Sequence, residues 1–124
     1  MKRIKSHKDL EVFSLSYKLA MEIYNISKKF PIEERYSMTD QIRRSSRSVS
    51  ANLAESFRKR RYAKAFIAKL SDAESEAAET QVWLDFAYDS GHLSSQFYKR
   101  LFDDYNRLIG KIVTMINQPN NWII

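Results

Sequence analysis

Residues 43–61 read RRSSRSVSANLAESFRKRR. Taken alone, a run of arginine and serine looks like a disordered arm that grips phosphates. Laid on a helix at about 100° per residue, it sorts by chemistry instead. Ile42, Val49, Leu53 and Phe57 fall on one side, with Ser45, Ser46 and Ser56 beside them. Arg43, Arg47, Ala54 and Arg58 fall on the far side, with Arg44 and Glu55 towards its edge. A disordered tail has no reason to sort this way, so the segment reads as an amphipathic helix. Its serines are small spacers whose hydroxyls bond back to the preceding turn. Its arginines project from the opposite face.

This helix extends over about 38–59, with Ser37 as an expected N-cap and Asp40 three residues on as a shortened capping box. Upstream, over about 9–29, Leu10, Phe13, Tyr17, Ala20 and Tyr24 recur at helical steps. Val12, Leu15, Leu19, Ile23 and Ile26 widen that stripe, which implies contacts on two sides. Phe30-Pro31 ends the helix, because a residue before proline is pushed out of helical geometry. Downstream, an alanine-rich helix over about 62–89 carries Phe66, Leu70, Ala73, Ala77, Thr80, Leu84 and Ala87 on one face, and Gly91 stops it. A fourth helix, about 95–117, is capped by Ser94 or Ser95 and presents Phe97, Leu101, Tyr105, Leu108, Ile112 and Met115. Pro119 closes it, and the apolar Trp122, Ile123 and Ile124 are expected to fold back or to pack on another subunit.

The 124 residues fit one domain, and four helices with short connections make an all-α, antiparallel up-down bundle. Only two glycines and two prolines are present, too few for an all-β fold with many tight turns. The absence of cysteine excludes disulfides, thiol catalysis and thiolate zinc sites, and agrees with a cytoplasmic location. No stretch approaches the roughly 18 apolar residues of a membrane span, and the basic start MKRIKSHKDLEVF lacks the apolar run and small-residue cleavage site of a signal peptide.

The formal charge of +6 favours an acidic partner. It is unevenly placed. Residues 43–65 set Arg43, Arg44, Arg47, Arg58, Lys59, Arg60, Arg61 and Lys64 against Glu55 alone. Residues 66–89 set Lys69 against Asp72, Glu74, Glu76, Glu79, Asp85 and Asp89. The eight basic residues are the candidate nucleic-acid surface, arginine offering a planar fork of donors to phosphate. Two alternatives stay open: pairing with acids of the third helix or of a neighbouring subunit, and a simply solvated face. Lys2, Arg3, Lys5, His7 and Lys8 either extend the basic surface or form a solubilising tail.

The order of motifs along the chain resembles a known family. DLEVF (9–13), FPIEERYSMTDQIRRS (30–45) and SVSANLAES (48–56) carry the likeness, followed by Phe66, Leu70, Ala73, Ser75, Glu79, Thr80, Gln81 and Gly91-His92-Leu93. They resemble the small four-helix-bundle proteins encoded in intervening sequences of bacterial large-subunit ribosomal RNA genes. Those proteins are relatives of the accessory variability protein of diversity-generating retroelements. The resemblance implies a left-handed bundle assembled as a ring-like homopentamer, a basic surface for RNA or DNA, and, for the retroelement relatives, partnership with a reverse transcriptase. This chain has Ser56 and Glu74 where the family usually has glycine, which puts close helix contacts at both positions in question.

Other residues read as structural. Asn52 and Glu55 flank the apolar face of the second helix. There a carboxylate paired with an arginine, and an amide fixing register, outweigh a catalytic role. Glu22, Glu55, Glu76 and Glu79 do not make a di-iron site, because that needs Glu-x-x-His on two helices and neither His7 nor His92 follows a glutamate at that spacing. His92 reads as an exposed loop residue. Tyr17, Tyr24, Phe66, Trp83, Phe97 and Tyr105 read as core or interface rather than base-stacking platforms. No metal, cofactor or catalytic residue is expected. The functional expectation is a non-enzymatic oligomer that binds RNA or DNA, with a protein–protein scaffold as the alternative.

Overall fold

A computed structural model of the chain describes residues 4–124. Of the N-terminal basic residues, Lys2 and Arg3 lie outside the described part, and Lys5 and Lys8 are exposed. The described residues form four long helices and no strand: α1 (Glu11–Ser27), α2 (Asp40–Arg58), α3 (Ala63–Asp89) and α4 (Ser95–Asn117). A 3-10 turn, His7–Asp9, leads into α1. It is closed by a capping box in which Ser6 Oγ accepts from the Lys8 amide at 3.2 Å and Asp9 accepts from the Ser6 amide at 3.3 Å.

Ser37 does not cap the second helix. A 3-10 turn, Ile32–Glu34, and one π-helical turn, Arg35–Thr39, run without a break into α2. Ser37 therefore sits inside a helical stretch, and its hydroxyl bonds Glu34 instead, at 2.8 Å to the carboxylate. The cap expected on α4 is formed by Ser94, whose Oγ accepts from the Phe97 amide at 3.2 Å. Past the end of α3, Gly91 takes φ +79°, a left-handed conformation that a Cβ disfavours.

The helices contact in a circuit, α1 on α2, α2 on α3, α3 on α4 and α4 on α1, with the α2–α3 interface the most extensive. Ile42, Val49, Leu53 and Phe57 of α2 meet Phe66, Leu70, Ala73 and Ala77 of α3 in the core, with Leu101, Tyr105, Leu108 and Ile112 of α4. The serines of α2 are what let its neighbours come near. Ser45, Ser46 and Ser56 are fully buried and bond back to Ile42, Arg43 and Leu53 carbonyls. Ser45 also bonds Thr80 of α3 at 2.8 Å, and Ser50 bonds Ser16 of α1 at 2.9 Å. Each bond spares a buried hydroxyl the roughly 1–3 kcal/mol of being left unpaired. Ser56, where the family usually has glycine, is accommodated with no solvent exposure, while Glu74 is half-buried.

The stripe expected on α1 is buried in its aliphatic part, Leu10, Val12, Leu19, Ala20 and Ile23, but not along its aromatic edge. Val12, Ser16, Leu19, Ala20, Ile23 and Ser27 are buried, whereas Phe13 and Tyr24 are half-buried and Tyr17 is exposed. The face that meets α2 is the one carrying the small residues Ser16, Ala20 and Ser27, which allow close approach; the bulky aromatics are displaced to its rim. Of the other aromatics, Phe66 and Tyr105 are buried, Trp83 is half-buried and Phe97 is exposed. The C-terminal residues fold back: Trp122 and Ile123 rest on the core, and the Ile124 amide donates to the Arg60 carbonyl at 3.1 Å.

Candidate nucleic-acid interface

The eight basic residues do not form one uniform stripe. Arg43 and Arg47 lean towards α1, where both guanidinium groups lie over the Tyr24 ring, 4.9 and 5.4 Å from its centre. Arg43 is half-buried rather than on the outer face, and its Nε donates to Ser27 Oγ at 2.8 Å. Lys28 covers the same ring at 4.7 Å, so three cations converge on one aromatic of α1. Arg44 turns towards α3, within electrostatic reach of Glu76. Burial and the neighbouring Glu79 push the Glu76 carboxyl above its ordinary range, against the pull of Arg44.

At the α2–α3 corner, Arg58, Lys59, Arg61 and Lys64 are exposed. Arg60 is the exception. Its guanidinium lies 3.7 Å from the Phe57 ring centre, and its Nε donates to the Phe57 carbonyl at 3.0 Å. Burial, with Arg58 beside it, lowers its pKa from the ordinary value. Arg60 thus ties the corner down, and the C-terminal residues close over its carbonyl.

Among the described residues, none of the eight makes an ion pair with a carboxylate. The ion pairs lie elsewhere: Glu55–Lys69 at 2.7 Å, Glu11–Lys111 at 2.7 Å, and Arg100 with Glu22 and Asp104. The one α2–α3 pair therefore has the opposite polarity from the expected neutralisation, with the acid on α2 and the base on α3. Glu55 is paired with a lysine, not an arginine, and this bond raises the Lys69 pKa. Asn52 bonds Ser48 of its own helix, through the carbonyl at 3.0 Å and the hydroxyl at 3.1 Å, and makes no bond across the bundle. The cross-helix polar contacts at this level are the hydroxyl pairs Ser16–Ser50 and Ser45–Thr80.

His92 is not a free loop residue. Its ring packs 6.2 Å from that of Phe30, and Nε2 lies 3.4 Å from Glu34, joining the α3–α4 turn to the α1–α2 connection. No three of the described histidine, aspartate and glutamate side chains gather in a group able to hold a metal ion. No described helix is long and apolar enough to cross a membrane. Periodicity overlooked Tyr24, Lys28 and Arg35 as members of the basic surface. The signal for two of them was available: Tyr24 and Lys28 lie four apart, on one side of α1.

Four helices around a serine-spaced core, with a face of unpaired cations along the second, define a small basic helical-bundle protein. The chain belongs to the 23S rRNA-intervening sequence protein family, whose sequence model matches residues 8–114. Among solved structures it is similar to a protein with unknown function from the S23 ribosomal protein family of Bacteroides thetaiotaomicron VPI-5482. The two are 27% identical, with a TM-score of 0.76 over 86% of this chain and 95% of that one. No curated protein is significantly similar to it in sequence.

Proposed function

We propose that this protein is a non-enzymatic, cytoplasmic homopentamer that binds the backbone of RNA or DNA through its α2 surface, as an accessory factor to an RNA or a reverse transcriptase. The observation that carries this is the concentration of eight cations on α2 and at the α2–α3 corner, none of which has a carboxylate partner among the described residues. An unpaired arginine cluster is costly in self-repulsion and suited to phosphates, which accept its forked donors. The family's description, which ties its genes to ribosomal RNA, points the same way.

The bundle is read as left-handed, up-down and antiparallel. Cross-helix pairs support the antiparallel order, because residue numbers fall on one helix as they rise on its neighbour. Ser16 meets Ser50 while Ser27 meets Arg43; Ser45 meets Thr80 while Glu55 meets Lys69; Glu11 meets Lys111 while Glu22 meets Arg100. The pentamer draws support from apolar groups left in solvent by one chain, Tyr17 and Met21 on α1, Val82 and Phe86 on α3, and Phe97 on α4.

The test is fluorescence anisotropy at low salt with single-stranded RNA, duplex DNA and an acidic polypeptide, on protein whose mass in solution is measured by light scattering. Binding to either nucleic acid, by a pentamer, is expected. Binding to the acidic polypeptide alone favours instead a scaffold that docks an acidic protein, and a stable monomer at micromolar concentration refutes the ring.

A further inference from the structure

The surface cations continue into a cleft where α1 ends and the π-helical turn begins. It has a volume of about 370 Å³ and is walled by Lys28, Arg35 and Arg43, with Ser27 and Thr39 between them and Phe30 beneath. No acid lines it. Glu34, the nearest carboxylate in sequence to Arg35, is turned away to Ser37 and His92.

Two features separate this cleft from ordinary basic surface. Arg43 is fixed in place before any ligand arrives, held by Ser27 Oγ on one side and the Tyr24 ring on the other. Thr39 is 93% buried, yet its hydroxyl has no hydrogen-bond partner. A threonine in a helix ordinarily bonds back to the preceding turn, but Thr39 ends a π-helical turn, a geometry that recurs at functional sites. An unsatisfied hydroxyl thus lies just behind the wall of a cationic cleft, within a side-chain rotation of it.

We infer that this cleft is a phosphate-binding pocket, with Lys28 and Arg35 supplying charge, Arg43 a fixed fork of donors and Thr39 a hydroxyl. A phosphate group suits this set, since it offers several acceptor oxygens and concentrated negative charge; the three cations face it directly, and a rotation of the Thr39 side chain brings its hydroxyl to it. Where that phosphate belongs to RNA or DNA, the pocket rests on the reading above; its affinity for the group itself rests on the cleft alone.

Nuclear magnetic resonance titration with inorganic phosphate tests it, read at backbone amides and at the Arg43 Nε–H. The expected result is saturable shifts confined to Ser27–Arg43, with nothing comparable at Arg58–Lys64. Lys28→Gln/Arg35→Gln, changing two exposed side chains, weakens binding about tenfold or more. Thr39→Val, which leaves net charge unchanged, weakens it about threefold. Circular dichroism and thermal melting confirm that each variant is folded. Shifts spread evenly over all basic residues, or folded variants that bind phosphate as the parent does, overturn the pocket. Phosphate that displaces a bound RNA oligonucleotide places the RNA backbone in the cleft; phosphate that saturates without displacing it marks a small phosphoester as the ligand. Both uphold the pocket. Saturable phosphate binding with no RNA or DNA binding removes the nucleic-acid reading and leaves the pocket standing.

Discussion

Replacing Ser45 and Thr80, singly and together, asks whether the serines of α2 act as hydrogen-bonded spacers. Both side chains are fully buried, and their oxygens lie 2.8 Å apart. In Ser45→Ala, Thr80 keeps its bond to the Glu76 carbonyl at 2.9 Å, so no hydroxyl is left bare. The loss is one neutral hydrogen bond, about 1 kcal/mol. In Thr80→Val, Ser45 keeps only the long 3.4 Å contact to Ile42, and the cost rises towards about 2 kcal/mol. The double variant has no hydroxyl to strand, so the coupling energy of the cycle is about 1 kcal/mol. Urea unfolding at fixed protein concentration measures it, because in the proposed pentamer apparent stability would depend on concentration. In thermal melts, 1 kcal/mol corresponds to about 4 °C for a chain of this length. Strict additivity, with coupling under about 0.3 kcal/mol, would refute the bonded pair.

Two further outcomes follow from side-chain geometry. Arg60→Gln lowers RNA affinity less than Arg61→Gln does, because Arg60 is committed to Phe57 while Arg61 is exposed; anisotropy on the two variants compares them. The Tyr98 hydroxyl, bonded to Asp85 at 2.5 Å, has its pKa pushed up to about 12, and Asp85→Asn returns it towards the ordinary 10 in an ultraviolet titration of tyrosinate. Folding raises this pKa, so the neutral phenol favours the folded state. Its contribution is complete below about pH 10 and is lost as pH rises to about 12.

The four helices were legible in the sequence because α2, α3 and α4 each carry an apolar face at helical steps. Leu53, Leu70 and Leu108 lie where that spacing puts them, with no solvent exposure. On α1 hydrophobic spacing locates Leu10, Val12, Leu19, Ala20 and Ile23 but misplaces the aromatic edge. Close helix contact selects small side chains, so Ser16 and Ser27 went inside and Tyr17 stayed out. The cap of α2, though not its start near residue 38, is misassigned for a related reason: a serine followed by an acid at three residues looks like a cap, and nothing in the pattern announces a π-helical turn. The basic residues of the site were visible as a run. Their division was not, since the convergence of Lys28, Arg43 and Arg47 on Tyr24 joins residues of two helices, and the inward turn of Arg60 depends on where Phe57 is buried. The unpaired Thr39 hydroxyl is likewise a property of three-dimensional placement alone.

The central claim is that the unpaired cations of α2 and of the α2–α3 corner meet backbone phosphates. The most direct measurement is the salt dependence of binding to single-stranded RNA for the parent chain and for a variant with Arg44, Arg47, Arg58 and Arg61 changed to glutamine. Each phosphate contact contributes about 0.7 to the slope of log affinity against log salt for single strands. If these four arginines each neutralise a phosphate, the slope becomes shallower by about 3 in a variant that remains folded. A slope identical to the parent's would contradict the account.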